Sequence, residues 1–227
     1  MDLCTASPEP LRHSFLQMKK SLIAAGIRLF TGVRSLAPDA AWSLPEGPVI
    51  FYANHSSHLD FLTIWAALAP EWRERTSPVA GEDYWGRSAL RRWLAHRVFA
   101  ATLIPREGIN RANNPIDRIA AVLDSGRAVL IFPEGTRGGG ETAAFRSGIH
   151  HLARRFPAVP LVAVYLENLN RILPKGTFLP VPIIARAEMR PPLFLQPDET
   201  KPAFLERARL HLVATPARAS GKLNAHV

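Results

Sequence analysis

The chain has 227 residues, 47% of them hydrophobic and 21% charged, which suits one folded domain with a full core and argues against chain-wide disorder. Cys4 is the only cysteine, so a disulfide scaffold and a cysteine-based zinc site are both excluded. The net charge of +9 draws the chain toward polyanions without choosing among nucleic acid, an anionic membrane surface and phosphorylated small molecules.

Residues 1–10 read as a loose tail. From Leu11 to Leu36 an apolar stripe runs through Phe15, Met18, Leu22, Ala25, Leu29 and Val33 at steps of three and four, which predicts an amphipathic helix over 11–38, with Gly26 and Gly32 as the points where it would kink or split. Its cations are Arg12, Lys19, Lys20, Arg28 and Arg34, with no acidic residue between them. Such a helix suits either an anionic bilayer interface or a core-covering position with a solvated basic face. No run reaches the roughly 20 apolar residues of a spanning helix, and the N-terminus lacks the plan of a signal peptide. A membrane-associated form of this chain is therefore expected to lie on the bilayer.

Residues 39–215 form the main domain, entered through a linker from Pro38 to Pro48, and 216–227 a frayed end. Pro48 to Ala53 predicts a buried strand and Leu59 to Leu68 a helix. Val79-Ala80 marks a short strand, Arg87 to Phe99 a basic helix, and Ala101 to Ile104 an apolar step. Asn114 to Asp124 is helical with Gly126 at its C′ position. Ala128 to Phe132 and Val159 to Leu166 are buried strands, with a helix over Gly148 to Phe156 between them. Proline-broken strands are expected within Phe178–Ala187 and Pro192–Leu195, and a closing helix over Thr200–Ala214. Strands alternating with helices predict an α/β domain: a mostly parallel central sheet flanked by helices.

Two loops carry chemistry. Asn54-His55-Ser56-Ser57-His58-Leu59-Asp60 follows a buried strand and opens a helix, at the edge where α/β sheets bind ligands. Asp60 in the first helical turn would either return to one imidazole nitrogen of His55, fixing its tautomer, or serve the helix in a Ser57-x-x-Asp60 capping box. Phe132-Pro133-Glu134-Gly135-Thr136-Arg137 also follows a buried strand and offers a carboxylate, a hydroxyl and a guanidinium in one turn. That set suits a phosphate-bearing polyol. Ile104-Pro105-Arg106 presents one further Arg after an apolar step.

Read together and in order, these blocks resemble the glycerophosphate acyltransferase superfamily, most closely its 1-acylglycerol-3-phosphate acyltransferases. Asn54, His55 and Asp60 match the Asn-His-x4-Asp block, Arg106 the second, Phe132 to Arg137 all six positions of the third, and Val159-Pro160 with the following apolar run the fourth. Phe145-Arg146-Ser147-Gly148 stands where a Phe-Lys-x-Gly element often follows, Gly138 to Gly140 replace the familiar Ser-Arg, and Ala163 replaces the fourth block's second proline. The resemblance covers roughly residues 45–195.

The resemblance implies a glycerol-3-phosphate acyltransferase-like fold and a direct acyl transfer without an acyl-enzyme. His55 would be the general base and Asp60 its orienting partner. Arg106 and Arg137 would bind the acceptor phosphate, while Glu134, Gly135 and Thr136 would shape the acceptor site, with Asn54 and Arg146 as accessories. The co-substrate would be acyl-CoA or acyl-acyl carrier protein, with no cofactor and no metal, and His58 would start the helix. The acceptor would be 1-acylglycerol-3-phosphate or another lysolipid such as lyso-ornithine lipid. The enzyme would be peripheral, on the cytoplasmic face of a membrane, in a bacterium the inner one. Arg87, Arg91, Arg92 and Arg97 would meet headgroups or an acidic carrier protein.

Two rival classes stay distinct. A thioester hydrolase would release thiol without any acceptor. A non-catalytic basic protein would bind membrane or nucleic acid, although no nucleic-acid motif is present and aromatics are not interleaved with the basic clusters.

Overall fold

The structure is a computed structural model and describes residues 9–38, 42–57, 59–136, 138, 142–168 and 185–214. Its centre is a six-stranded sheet: β1 Ile50–Ala53, β2 Thr76–Gly81, β3 Thr102–Ile104, β4 Ala128–Ile131, β5 Leu161–Glu167 and β6 Arg186–Met189, in the order β3-β2-β4-β1-β5-β6. Every neighbouring pair is parallel except β5 and β6, which run antiparallel at the edge. The predicted α/β class with a mostly parallel sheet is the observed one.

β1 and β4 are buried along their whole length, which is why they read in sequence as unbroken apolar runs. Side chains alternate across the sheet. Phe51 and Ala53 point to one face, where they meet Ile64, Ala67 and Leu68. Ile50 and Tyr52 point to the other, against Ile119, Ile149, Leu152 and Phe204. The first face carries α2 (Asp60–Ala67), with α1 (Glu9–Thr31) packed over it as an outer layer; α3 (Pro70–Arg75) continues the chain beyond α2. The second face carries α6 (Pro115–Asp124), α7 (Gly148–Arg155) and α8 (Lys201–Val213). Between β2 and β3 lie α4 (Glu82–Trp85) and α5 (Ala89–Trp93), the latter running into a π turn over Leu94–Val98.

Crossovers between parallel strands are right-handed, so reversing direction along the sheet changes face. The chain moves one way from β1 through α2 to β2 and β3, then returns through α6 to β4 and through α7 to β5. Adjacent β1 and β4 therefore send their exits to opposite faces. In α/β sheets such a divergence at the carboxyl edge is where ligands bind.

Four sequence expectations change in detail. α1 ends at Thr31, where Gly32 takes φ +67° and its N–H closes the helix on Arg28 O at 2.8 Å. Val33 and Leu36 stay buried, but as extended chain. Of the apolar stripe, whose side the sequence left open, Met18, Leu22 and Leu29 face outward, 52%, 66% and 89% exposed, and Ala24, Ile23 and Ile27 take the inner side. Two of its cations are engaged internally, Arg28 Nε on Ala66 O at 2.6 Å and Lys20 Nζ on Glu74 Oε2 at 2.7 Å. The basic helix expected over Arg87–Phe99 is shorter and passes into the π turn, where Phe99 N–H reaches Leu94 O.

The other changes concern strands. β2 is longer than Val79-Ala80 and contains Pro78 in the sheet interior, because residues 76–78 pair with β4 and residues 79–81 with β3. The proline stands where β2 changes partner. Pro192–Leu195 forms a single bridge, Leu193 to Leu161, rather than a strand. The part of the Phe178–Ala187 expectation before Ala185 lies outside the described residues.

Candidate active site

β1 stops pairing at Ala53, opposite Val164 of β5. The next residue, Asn54, continues the ladder with its side chain: Nδ2 donates to Leu166 O and Oδ1 accepts from Leu166 N, both at 2.8 Å. The amide is buried, so each of these groups needs its partner. Asn54 thus anchors the start of the loop, and its role is positioning.

His55 follows. Its Nδ1 lies 2.9 Å from Asp60 Oδ2. The same oxygen accepts the backbone N–H groups of Ser56 at 2.6 Å and Ser57 at 2.8 Å. Asp60 is fully buried as the first residue of α2, and its carboxylate turns back into the loop. The Ser57 N–H bond is the return half of the Ser57-x-x-Asp60 capping box, so both readings of Asp60 are realised: one carboxylate oxygen serves the turn into the helix and the imidazole together. A carboxylate at Nδ1 makes that nitrogen the proton carrier and leaves Nε2 with its lone pair. The His55 side chain is mostly covered but keeps 18% of its surface exposed, while its Asp60 partner is wholly buried. Phe132 stacks on it at 4.3 Å and 25°, fixing the ring plane.

The second loop leaves β4 next door. Glu134 is buried, yet among the described residues its carboxylate bonds to backbone: Oε1 accepts from His55 N–H at 2.7 Å and Oε2 from Ala143 N–H at 2.8 Å. His55 O in turn accepts Gly138 N–H at 2.9 Å. The two sequence motifs are therefore laced together through main chain. Gly135 takes φ +74°, and a Cβ there would stand 2.6 Å from Arg146 Nε. The glycine serves both the left-handed turn and the close approach of Arg146. Arg146 N–H reaches Pro133 O at 2.8 Å and its Nε reaches Glu134 O at 3.2 Å.

The structure places the remaining sequence candidates as follows. Thr136 is exposed at the loop tip, and Arg146 is exposed beside it. Arg137 and His58 lie outside the described residues. Arg106 follows β3, two strand spacings from β4, or about 10 Å. Its side chain is half exposed, with Nε 3.7 Å from Asp83 Oδ1, and it lies over Gly81, where a Cβ would come within 2.6 Å of Nε. It shares the carboxyl edge with the His55 loop but makes no assigned contact with it. Sequence reasoning missed Phe132 as the platform under His55, although it stands in the same motif. It also missed Thr63, whose buried hydroxyl lies one turn beyond Asp60 and, like Asp60 Oδ1, has no partner among the described residues.

On the other side of His55 a shallow polar depression lies between the exits of β1 and β5, lined by Asn54, Ser56, Thr142, Tyr165 and Glu167. No helix among the described residues is long and apolar enough to cross a membrane.

Comparison with known proteins agrees with this architecture. The acyltransferase family profile matches residues 34–167. Over 103 residues the chain is 36% identical to a lyso-ornithine lipid O-acyltransferase of Pseudomonas aeruginosa, covering 43% of this chain and 34% of that one. Over 153 residues it is 27% identical to a 1-acyl-sn-glycerol-3-phosphate acyltransferase of Limnanthes alba, covering 63% of this chain and 50% of that one. The chain thus matches a third to a half of the length of these curated relatives. The crystal structure of the 1-acyl-sn-glycerophosphate acyltransferase PlsC from Thermotoga maritima superposes with a TM-score of 0.66 at 18% identity, covering 90% of this chain and 80% of that one. At that identity the likeness is one of fold.

Proposed function

The chain belongs to the acyltransferase family, and from that premise we propose that it moves a fatty acyl group from a thioester donor, acyl-CoA or acyl-acyl carrier protein, to the free hydroxyl of 1-acylglycerol-3-phosphate, yielding phosphatidic acid. The observation that carries the reading is the buried Asp60 carboxylate on His55 Nδ1 at 2.9 Å, which leaves the Nε2 lone pair to act as a base.

In the proposed step His55 Nε2 takes the proton of the acceptor hydroxyl as its oxygen attacks the thioester carbonyl. Asp60 stabilises the imidazolium that forms. The tetrahedral intermediate collapses with cleavage of the C–S bond, and the proton passes from the imidazolium to the departing thiolate. No enzyme nucleophile takes part. Holding donor and acceptor on either side of His55 supplies much of the rate. Arg106, Arg137 and Arg146 are the proposed phosphate partners, with Glu134, Gly135 and Thr136 shaping the turn beside them. The outward apolar stripe of α1, Met18, Leu22 and Leu29, supports work at a membrane surface, where acceptor and product reside.

A second acceptor is favoured by one observation. The lyso-ornithine lipid enzyme shares 36% identity against 27% for the glycerophosphate enzyme, though over a shorter stretch. The deciding experiment measures thiol release from palmitoyl-CoA with 1-acylglycerol-3-phosphate, with lyso-ornithine lipid, and with neither. Release that depends on 1-acylglycerol-3-phosphate and on His55, with phosphatidic acid as product, is the expected result. Release only with lyso-ornithine lipid reassigns the acceptor, and release with no acceptor makes the protein a hydrolase.

A further inference from the structure

The segment Gly86 to Val98 contains Arg87, Arg91, Arg92 and Arg97 and no acidic residue. Its helix, α5, starts at Ser88, whose Oγ accepts Arg91 N–H at 3.2 Å, and continues through the π turn. The segment has two apolar sides. Leu94 and Val98 turn inward, in one cluster with Trp65, Trp85 and Phe99, and Ala95 is buried. Leu90 and Trp93 turn outward, 66% and 51% exposed. Three residues apart on a helix, they form one ridge.

The arginines around this ridge are arranged without carboxylates. Arg87 Nε donates to Asp83 O at 2.8 Å and Arg92 Nη1 to Gly86 O at 3.3 Å. Arg91 lies over the Tyr84 ring at 4.4 Å. Among the described residues none of the four enters an ion pair. Their positive charge is left for something outside the chain.

We propose that α5 is a second membrane-docking element, which seats Leu90 and Trp93 in the headgroup region of an anionic bilayer with Arg87, Arg91, Arg92 and Arg97 on its phosphates. An exposed Trp beside a Leu, ringed by arginines whose stems cover apolar surface, is the composition of a bilayer interface. The same inner cluster also holds Ala24, Ile23 and Ile27 of α1, so the outward residues Met18, Leu22 and Leu29 belong to the same side of the sheet. Two apolar ridges around one packed cluster fit a broad lipid surface better than a single acidic helix of a carrier protein. The position serves the reaction too. α4 begins directly at the carboxyl end of β2, next to β4, so docking here holds the edge that bears His55 and Glu134 against the lipid. The docking rests on the proposed lipid acylation only for its kinetic consequence.

The test uses the full chain with vesicles of phosphatidylcholine alone or with 30% phosphatidylglycerol. Co-sedimentation should show binding to the anionic vesicles, weakened at least tenfold in Leu90→Ser/Trp93→Ser and in Arg87→Glu/Arg92→Glu. Brominated lipid should quench tryptophan fluorescence in the native protein and markedly less in Trp93→Phe. The thermal midpoint should stay unchanged in all three variants, since the altered side chains are outside the core. Transfer to a short-chain, monomeric lysolipid should be unaffected in Leu90→Ser/Trp93→Ser, while transfer to vesicle-borne acceptor falls. Unchanged vesicle affinity in both pairs, or equal quenching with and without Trp93, would overturn the proposal. So would intact vesicle binding with a selective loss of transfer from acyl-acyl carrier protein, which makes α5 a carrier-docking surface. A protein that transfers to no acceptor refutes the proposed activity, and the vesicle and quenching results then decide the docking by themselves.

Discussion

Asn54 and Leu166 exchange two hydrogen bonds, side-chain amide against backbone peptide, each 2.8 Å long. The side chain does the work of a strand residue, so the main chain of Asn54 is released from β1 and the loop that bears His55 begins from a fixed point. Asn54→Asp keeps the acceptor for Leu166 N–H but turns a second oxygen toward Leu166 O. We expect a loss of about 1–3 kcal/mol in urea unfolding. Activity should fall more than the remaining folded fraction explains, because the proposed base, His55, is displaced. A variant with full stability and full activity would remove Asn54 from the positioning of the loop.

The Asp60 carboxylate combines an orienting role with three donors, His55 Nδ1–H and the N–H groups of Ser56 and Ser57. Asp60→Ala would leave all three unsatisfied and confuse loop folding with chemistry. Asp60→Asn retains an acceptor oxygen for them, removes the charge and places an amide NH2 where Oδ1 stands. Its expected outcome is a drop in kcat of about 10²–10⁴-fold with a near-native circular dichroism spectrum. Acyl transfer within tenfold of the native rate would show that His55 needs no anionic partner.

Gly135 is constrained twice, by its left-handed φ of +74° and by Arg146 Nε, 2.6 Å from where a Cβ would stand. Gly135→Ala should cost at least about 1 kcal/mol from the backbone alone. It should also push the Arg146 side chain off Glu134 O. Raised KM for a phosphate-bearing acceptor, with less change for a neutral one, is the expected kinetic split. An unchanged KM for both would remove Arg146 from phosphate binding.

His150 gives the pH dependence of stability. It sits on α7 against Phe204, ring centroids 5.7 Å apart, and its Nδ1 has no partner among the described residues. Burial lowers its pKa below the ordinary 6.5, and the cations His151, Lys201 and Arg154 lower it further, with Glu199 acting the other way. The unfolded chain therefore takes up a proton in a pH range where the folded chain does not. Stability from this group is complete above about pH 6.5 and declines as the pH falls below that value. The denaturation midpoint of His150→Leu should fall less steeply with acid than that of the native chain. Parallel slopes for the two proteins would refute the assignment.

How much of this was legible in the sequence differs by element. β1, β4 and β5 were plain because strands buried on both faces are unbroken apolar runs. The His55–Asp60 partnership was half legible: spacing allowed it and equally allowed a helix cap, and one Asp60 oxygen does both, on His55 Nδ1 and on Ser57 N–H. β2 was truncated in the reading because Pro78 argues against an interior strand, and nothing local announces a change of partner at that residue. For α1 the periodicity was legible, and the side its stripe faces was left open between bilayer and core. The helix has two apolar arcs, and the one that found Trp65 is the shorter one through Ala24. The bridging roles of Asn54 and Glu134 were invisible, since each joins segments far apart in the chain, 112 residues for Asn54 and Leu166. Such bonds follow from strand order, which no local pattern encodes.

The two-sided character of α1 matters for anyone preparing this protein in water. Deleting the helix to improve solubility would strip the cover from Trp65 and Ala66 and replace one sticky surface with another. The outward residues Met18, Leu22, Leu29 and Phe30 are separable from the inward ones. Exchanging those four for polar side chains, with Ala24 and Ile27 left in place, is the route to a detergent-free sample that keeps its interior intact.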